Sequence, residues 1–257
     1  MRIESSVVTD VGKKRTINQD NYILIDRYNQ SFSPHMESRK TLSLKDNQCY
    51  IFGVFDGIGG GTHGEEAARI AAEFFVSPLK SNHIENELRD RLSQANNSIY
   101  QHRKGKRDFG TTASVLGLWN GKFRYLHIGD SRIYLFRDKE LTQITKDHTL
   151  AQIKISAGIY SAQSREAQRE SHVLLRSLGG YDATAEIGYE ESEWKVSRKG
   201  DRYLICSDGL YDMCSYEELI SALAVHSDTG ECAKKLADQA LKNGGADNIT
   251  VLLVDVL

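Results

Sequence analysis

Four aspartates lie where apolar segments of the sequence begin or end. Each adjoins a run of the kind that forms a buried strand, and glycine stands next to three of the four. A carboxylate at the tip of a buried strand is held rigidly while its head group faces a cleft, and glycine lets the backbone approach a ligand closely. The four are Asp56, Asp130, Asp208 and Asp247. They are therefore the first candidates for chemistry.

If these four carboxylates converge, their negative charges raise one another's pKa unless a positive charge compensates them. Hard divalent cations provide that compensation, and ligation by oxygen alone favours Mg²⁺ or Mn²⁺ over zinc or copper. Taken singly, an Asp-Gly pair is typical of a turn. Four separate turns that each adjoin an apolar run explain the pattern less well than one shared site, but spacing alone does not show that the residues meet.

The composition excludes several classes of function. The chain has 257 residues, a hydrophobic content of 40% and a formal net charge of −2, which argues against a general nucleic-acid binder. No apolar run reaches the roughly 18 residues that span a bilayer, and the first residues lack the apolar segment of a signal peptide. The four cysteines form no C-x-x-C pair, so we expect reduced thiols. We therefore expect a cytoplasmic protein that binds neither nucleic acid nor membranes.

Hydrophobic periodicity predicts strands and helices that alternate in groups along the chain. Apolar residues at helical spacing predict amphipathic helices at Gly64–Leu79, Ile84–His102, Tyr216–Val225 and Glu231–Asn243. Short apolar runs predict strands at Val7–Val11, Tyr22–Asp26, Tyr50–Phe55, Thr112–Trp119, Phe123–Ile128, Arg132–Arg137, Glu140–Ile144, Tyr189–Val196, Asp201–Cys206 and Ile249–Val256. Residues 28–48 are polar and aperiodic, so we predict a long surface loop there.

Turn residues between the central strands indicate hairpins. Asn120-Gly121 separates two predicted strands, which is a strong signal for an antiparallel pair, and Asp138-Lys139 separates two more. Hairpins argue against a doubly wound parallel sheet. We therefore predict an α+β fold in which antiparallel sheets pack in layers with helices, as a single domain over residues 1–257.

Eight motifs occur in the order that one enzyme family shows. No single motif is decisive, but eight in order are highly specific, and they cover nearly the whole chain. They are Arg15-x-x-Asn18-Gln19-Asp20, Asp56-Gly57-x-Gly59-Gly60, Gly110-Thr111-Thr112, Gly129-Asp130-Ser131-Arg132-x-Tyr134, Thr145-x-Asp147-His148, Leu178-Gly179, Ser207-Asp208-Gly209-Leu210 and Asp247-Asn248-Ile249-Thr250. The chain resembles the protein phosphatase 2C family, and its compact size and the Asn-Gln-Asp form of the first motif resemble the bacterial branch.

The resemblance implies a four-layer α/β/β/α fold, in which helices flank a central antiparallel β-sandwich that holds metals in a cleft at one end. By the same match, Asp56 bridges two metals and the Gly57 carbonyl ligates one of them. Asp208 and Asp247 complete the first metal, and Asp20 reaches a metal through water. Asp130 would join Asp208 at a third, weaker site, and Arg15 would hold the substrate phosphate.

The resemblance also implies the activity of a metal-dependent protein serine/threonine phosphatase. Two or three Mn²⁺ or Mg²⁺ ions would activate a bridging hydroxide that attacks phosphorus in line, with Arg15, Asp56 and Asp208 as catalytic residues. No phosphoenzyme, and hence no nucleophilic cysteine or serine, is needed. We expect phosphorylated proteins as substrates, a serine/threonine kinase as the opposing enzyme, and a monomer.

The sequence departs from the family pattern at three positions near the first metal motifs. Many eukaryotic relatives carry a histidine, proposed as general acid, where Ile58 stands, and bacterial relatives often have one at the position of Gly61. Here His63 lies two residues later, so the general acid stays unassigned. Gln19 replaces an acid found in some relatives. Residues 147–179 match the family's flap segment, which the resemblance places next to the cleft. Their sequence is polar, so we expect a mobile lid that helps to choose substrates.

Three alternatives remain open at this point. Residues 59–64 fit the G-x-G-x-x-G pattern of dinucleotide-binding folds, but that pattern needs a βαβ unit, whereas a second predicted helix follows here. The same fold could serve as a catalytically silent phosphoprotein-binding pseudophosphatase, although Asp56, Asp208, Asp247 and Arg15 are all retained. A phosphomonoesterase for small molecules would use the same metal site.

Overall fold

The structure is a computed structural model that describes residues 1–31, 33–45, 48–58, 63–77, 79, 83–103, 109–180 and 187–257. The strands in this part of the chain are β1 (Arg2–Asp10), β2 (Asp20–Leu24), β3 (His35–Ser43), β4 (Tyr50–Ile58), β5 (Gly110–Thr111), β6 (Ala113–Trp119), β7 (Lys122–Ile128), β8 (Arg132–Arg137), β9 (Glu140–Gln143), β10 (Glu190–Glu191), β11 (Lys195–Val196), β12 (Arg202–Cys206) and β13 (Ile249–Val256). The helices are α1 (Gly64–Phe75), α2 (Ile84–Arg103), α3 (Leu150–Ser156), α4 (Arg165–Glu170), α5 (Asp208–Tyr211), α6 (Tyr216–Val225) and α7 (Thr229–Lys242).

Two sheets form the centre of the fold, and every described strand pair is antiparallel. The first sheet has the order β3-β1-β13-β12-β8-β9, and the second has β10-β7-β6-β4-β2. In the first sheet, β1 pairs with β13 from Ile3 opposite Val256 to Asp10 opposite Ile249. The absence of parallel pairs among the described strands contradicts the dinucleotide-binding alternative.

Three groups of buried side chains hold four layers together. The first lies between the two sheets, where the rings of Phe123 on β7 and Tyr203 on β12 have their centroids 5.1 Å apart. The second joins the inner face of α1 and α2 to the second sheet, and the third joins α6 and α7 to the first sheet. Removing this much apolar surface from water is the main driving force for the fold. The predicted α/β/β/α architecture is confirmed.

Two helices of the outer layers begin where the sequence supplies a capping side chain. Ser215 and Glu218 form a capping box at the start of α6, and the side chain of Asp228 accepts a hydrogen bond from Glu231 at the start of α7. Such caps satisfy backbone N–H groups that have no partner within the helix. Among the described residues, no helix combines the length and the apolar character that crossing a membrane requires.

The predicted loop at residues 28–48 is wrong in its central part. His35–Ser43 forms β3, which pairs with β1 from Arg2 opposite Ser43 to Asp10 opposite His35. Its side chains alternate between exposed and half-buried, and none is fully buried. The strand lacks the apolar pattern that sequence analysis requires because the backbone pairing with β1, rather than burial, defines it. Residues 32, 46 and 47 of this segment lie outside the described residues.

Several predicted boundaries also shift. The first strand begins at Arg2 rather than Val7, and the first helix ends at Phe75 rather than Leu79. The predicted strand Tyr189–Val196 is two short strands, β10 and β11, both paired with β7. The polar segment after Asp147 contains α3 and α4, and residues 181–186 lie outside the described residues.

Candidate metal and phosphate site

A cavity of about 350 Å³ opens where β4 and β12 end and β13 begins. It gathers most of the residues that the sequence predicted to bind metal and phosphate. Its lining includes Arg15, Asp56, Gly57, Asp130, Asp208 and Asp247. Six residues spread over most of the chain therefore meet in one place, which spacing alone did not show.

The backbone around Asp56 is fixed by the Thr111-Thr112 pair. The backbone N–H of Asp56 donates to Oγ1 of Thr112 at 2.9 Å. The carbonyl of Asp56 accepts from the Thr112 N–H at 2.9 Å and from Oγ1 of Thr111 at 2.9 Å. These bonds leave the Asp56 carboxylate, near the end of β4, facing the cavity with little freedom to move.

Two glycines allow neighbouring segments to approach closely. A Cβ atom on Gly57 would lie 2.3 Å from the carbonyl oxygen of Gly64, and one on Gly209 would lie 2.1 Å from that of Asn248. Neither position can hold a side chain without moving the backbone. Gly209 thus lets Asp208, the first residue of α5, lie beside the segment that carries Asp247.

Asn248 holds the loop that carries Arg15. Its side-chain oxygen accepts from the backbone N–H of Gln19 at 2.8 Å. Its side-chain nitrogen donates to the carbonyls of Val11 at 2.9 Å and Ile17 at 3.0 Å. The sequence analysis included Asn248 in a motif but gave it no role. No signal in a single sequence distinguishes such a positioning residue from an ordinary turn asparagine.

Asp20 lies behind the cavity wall. Its Cα pairs with that of Asp56 across β2 and β4, and its side chain is 3% exposed. Oδ2 accepts hydrogen bonds of 2.7 Å from Ser207 and from Thr250. The predicted metal ligand therefore stands one layer further from the cavity than the other carboxylates.

The carboxylates repel one another electrostatically. Burial raises the pKa of Asp20 to about 7, although hydrogen bonds from Ser207 and Thr250 oppose the shift. Burial raises the pKa of Asp130 to about 6, with a further contribution from the Asp147 charge. Burial, and then the neighbouring aspartates, also raise the pKa values of Asp56 and Asp208 well above the ordinary range. The fold therefore maintains a cluster whose charged form is unfavourable by itself.

Two buried oxygens indicate which kind of ligand the carboxylate cluster fits. Among the described residues, Oδ1 of Asp20 and Oδ1 of Asp208 are buried without a hydrogen-bond partner. A buried acceptor without a partner is costly, and a cation satisfies it. The remaining donors are carboxylate oxygens and the Gly57 carbonyl, a set that suits Mg²⁺ or Mn²⁺. The residues present therefore fit the predicted metals.

Arg15 lies at the mouth of the cavity and is paired with an acid. Its Nη2 donates to Oδ2 of Asp247 at 2.6 Å, with the two side chains 45% and 34% exposed. This hydrogen bond is the main reason that the pKa of Arg15 is raised. The guanidinium is thus held close to the carboxylates, within reach of any anion that enters.

The structure provides one new candidate for the general acid, which the sequence left unassigned. Ile58 lines the cavity, and its side chain cannot donate a proton. His63 does not line it, and its ring centroid lies 6.3 Å from that of Phe109. Residues 59–62, which include Gly61, lie outside the described residues.

His172 on the flap does line the cavity, with Nδ1 3.6 Å from Oδ2 of Asp212. Sequence analysis missed both residues of this pair.

An aromatic and ionic chain connects the flap to Asp130. Arg132 donates to Asp147 with Nη2–Oδ2 at 2.6 Å, and its guanidinium lies 3.5 Å from the centroid of the Tyr211 ring. The hydroxyl of Tyr211 donates to the carbonyl of Asp130 at 3.1 Å. The start of the flap is therefore fixed to the cavity wall.

Comparison with known proteins identifies the family. The model for protein phosphatase 2C matches residues 40–243. The serine/threonine protein phosphatase PstP of Mycobacterium tuberculosis is 33% identical over 214 residues, which are 80% of this chain and 40% of that protein. The chain thus spans less than half of that relative's length. Protein phosphatase PhpP of Streptococcus pneumoniae is 31% identical over 268 aligned residues, 99% of this chain and 98% of that protein.

Solved structures agree with this match. The crystal structure of the M. tuberculosis phosphatase PstP/Ppp has a TM-score of 0.81 and 28% identity, and the alignment covers 100% of this chain and 99% of that chain. The catalytic domain of PstP in complex with two manganese ions has a TM-score of 0.78 and 29% identity, with 100% of both chains covered. The resemblance inferred from the ordered motifs is confirmed, and the chain belongs to the protein phosphatase 2C family.

Proposed function

We propose that this protein is a metal-dependent protein serine/threonine phosphatase. The observation that carries the proposal is the convergence of Asp56, Asp130, Asp208, Asp247 and Arg15 on one cavity. The named relatives that match nearly the whole chain are phosphatases, and this supports the same reaction class here.

Asp56, the Gly57 carbonyl, Asp208 and Asp247 would hold two Mn²⁺ or Mg²⁺ ions, with Asp20 acting through water. Asp130 and Asp208 would hold a third, more weakly. When bound, such ions lower the pKa of water and stabilise charge on a phosphoryl group. The two manganese ions bound to the catalytic domain of PstP support this cofactor.

The side chains of the chain itself orient the substrate. A cation held at Asp247 would compete with Arg15 for this carboxylate, and the planar guanidinium of Arg15 could then bind two phosphate oxygens. Asp56 and Asp208, fixed by Thr111-Thr112 and by the contact at Gly209, keep the reacting groups aligned. Preorganised positions of this kind supply much of the rate enhancement in phosphoryl transfer.

A cysteine-based mechanism has no support in this structure. All four cysteines are buried. Burial raises the pKa of the Cys49 and Cys214 thiols to about 12, so they stay protonated at neutral pH and are poor nucleophiles. These buried thiols therefore do not serve as the phosphate acceptor.

The partners follow from the reaction. Its substrates would be phosphorylated proteins, and a serine/threonine kinase would oppose it. We infer a single catalytic domain over residues 1–257 that works in the cytoplasm as a monomer. The net charge of −2 supports neither a nucleic-acid partner nor an anionic membrane surface.

Hydrolysis of a phosphothreonine peptide with Mn²⁺, with Mg²⁺ and with EDTA tests the proposal. Turnover that needs metal and stops with EDTA is expected. A folded protein without turnover in either metal would instead be a pseudophosphatase that binds phosphoproteins. Turnover of aryl phosphate without turnover of any phosphopeptide would indicate a phosphomonoesterase for small molecules.

A further inference from the structure

A second cavity borders the flap beside the catalytic cavity. Its volume is about 420 Å³, and its lining includes Lys146, Ile153, Leu175, Arg176, Tyr189 and Glu190. His172 and Leu174 line the catalytic cavity, whereas the next residues, Leu175 and Arg176, line the second one. The two cavities therefore share one short stretch of flap backbone.

One of the two acids at the second cavity, Asp147, is ion-paired, and the other, Glu190, is hydrogen-bonded. Asp147 accepts hydrogen bonds from Arg132, the shortest of them 2.6 Å long. Glu190 accepts from the hydroxyl of Tyr125 at 2.7 Å and from the backbone N–H of Lys146 at 2.9 Å. Arg132 therefore compensates the charge of Asp147, whereas the donors to Glu190 are neutral and leave its negative charge in place.

Two cationic side chains at the same cavity have no such compensation. Lys146 and Arg176 are exposed, and among the described residues no carboxylate forms an ion pair with either. Arg176 donates from Nη1 to the carbonyl of Gly188 at 3.0 Å, which leaves its charge unpaired. By contrast, Lys154 in the same flap pairs with Glu170, with Nζ–Oε1 at 2.7 Å. Among the described lining residues, the two cations without an ion pair outnumber Glu190, the one acid that forms none.

The lining also has apolar side chains that are partly open to solvent, beside the polar His148, Gln152 and Ser156. Ile153 is 56% exposed, and Leu175 and Tyr189 are half-buried. Apolar side chains together with two cationic groups suit a ligand that has a short hydrocarbon chain ending in an anionic group. Acidic amino-acid side chains and phosphorylated side chains both have this form.

We propose that this cavity binds an anionic side chain of the substrate protein, close to the phosphorylated residue. The inference rests on the proposed phosphatase function and adds a sequence preference to it. Leu174 and Leu175 are consecutive, and an extended chain advances about 3.3 Å per residue. The two cavities are therefore adjacent, and the anionic residue lies close to the phosphothreonine or phosphoserine in the substrate sequence.

A peptide series with Mn²⁺ tests the inference. The parent peptide carries one phosphothreonine among uncharged residues, and glutamate replaces glutamine at one flanking position at a time. A second series carries a non-hydrolysable phosphoserine analogue in place of the glutamate, which distinguishes a carboxylate from a second phosphate. We expect kcat/KM to rise by about fivefold at one favoured position, as two partly exposed charge pairs allow, and the gain to shrink at high salt.

Variants that remove one positive charge test whether the gain in kcat/KM depends on this cavity. Lys146→Gln and Arg176→Gln should each reduce the ratio of kcat/KM for the acidic peptide to that for the parent peptide. Arg176→Lys keeps the charge and should keep most of the ratio, which separates charge from altered packing. Lys199→Gln, an exposed lysine that lines neither cavity, is the matched control and should leave the ratio unchanged. Thermal melting of each variant confirms that it is folded.

The outcomes separate the two proposals. No turnover of any peptide would refute the phosphatase function itself. Turnover of all peptides at equal rates would overturn only the anionic subsite. A preference for glutamate that survives in both Lys146→Gln and Arg176→Gln would also overturn it, because the acid would then bind elsewhere.

Discussion

Asp208 carries a carboxylate that the fold buries among other carboxylates. Burial, and then the charges of Asp130 and Asp212, raise its pKa well above the ordinary range, and its Oδ1 is one of the buried oxygens without a described hydrogen-bond partner. A nearby divalent cation reverses this balance, since it favours the charged form. At the scale of single residues, the buried carboxylate therefore lowers the stability of the metal-free protein, and the same group provides affinity for a metal ion.

Replacing Asp208 with asparagine should change activity and stability in opposite directions. We expect Asp208→Asn to lower kcat by at least about a hundredfold, because it removes a charge that positions the metals. The same change should raise the melting temperature of the metal-free protein, since it removes a destabilised charge. Phosphopeptide turnover and thermal melting with EDTA measure the two effects. Asp238→Asn, at an exposed acid on α7, is the control, and near-normal turnover in Asp208→Asn would contradict the metal assignment.

The role of Arg15 depends on the shape of its guanidinium. Arg15→Lys keeps a charge but cannot bind two phosphate oxygens in the same plane, so we expect KM to rise about tenfold, equivalent to roughly 1.4 kcal/mol. Arg15→Ala should weaken binding further and reduce inhibition by inorganic phosphate. Steady-state kinetics with phosphate as inhibitor measures both constants. Unchanged KM and inhibition in both variants would mean that Arg15 only balances the charge of Asp247.

At the scale of elements, the loop between β1 and β2 matters most, because it carries Arg15 but has no regular structure of its own. It is held by hydrogen bonds from a residue more than two hundred positions away, Asn248. The two N–H donors of this side chain reach the carbonyls of Val11 and Ile17. Loop position is thus coupled to the start of β13.

An aspartate at position 248 should release this loop. Asn248→Asp keeps the oxygens but lacks the amide donors, so the carbonyls of Val11 and Ile17 lose their partners, at a cost of about 1–3 kcal/mol. We expect weaker phosphate binding, as in Arg15→Ala, and faster amide hydrogen exchange in residues 12–18. Asn243→Asp at the end of α7 is the control. Exchange rates in the loop that match those of the unaltered protein would show that other contacts hold it.

Sequence analysis succeeded for elements that bury apolar side chains and failed for those that do not. The runs leading to Asp56 and Asp208 are buried strands, and their patterns were clear. β3 has no fully buried residue, and its pairing with β1 is visible only in three dimensions. α5 is a single turn after β12, too short for a periodic signal.

At the scale of the whole molecule, the candidate site joins the two sheets. Asp56 lies on β4 of the second sheet, whereas Asp208 and Asp247 adjoin β12 and β13 of the first. Asp130 lies between β7 and β8, one strand from each sheet. Spacing along the sequence could not reveal that these aspartates converge, because the distances between them depend on how the two sheets pack. A cation held by these carboxylates would therefore link one sheet to the other.

Cation binding should therefore stabilise the whole fold, and more strongly as pH rises. Asp130 and Asp20 have pKa values of about 6 and about 7 in the folded protein, above the ordinary value of 3.8 for an unfolded aspartate. The folded state then holds more protons than the unfolded state, so these groups make the metal-free protein less stable as pH rises from about 4 to about 7. Metal binding needs the deprotonated carboxylates, so the stability that the metal adds increases as pH rises.

Melting curves between pH 5 and pH 8, with EDTA and with excess Mn²⁺, test this coupling. We expect the melting temperature in EDTA to fall across this range and the increase caused by Mn²⁺ to grow, by mass action on the folded state. Asp20→Asn should make the EDTA curve less steep, because it removes one of the carboxyl groups whose pKa burial raises. A melting temperature in EDTA that is flat or rises, together with no response to Mn²⁺, would mean that these carboxylates do not form one cation site across the two sheets.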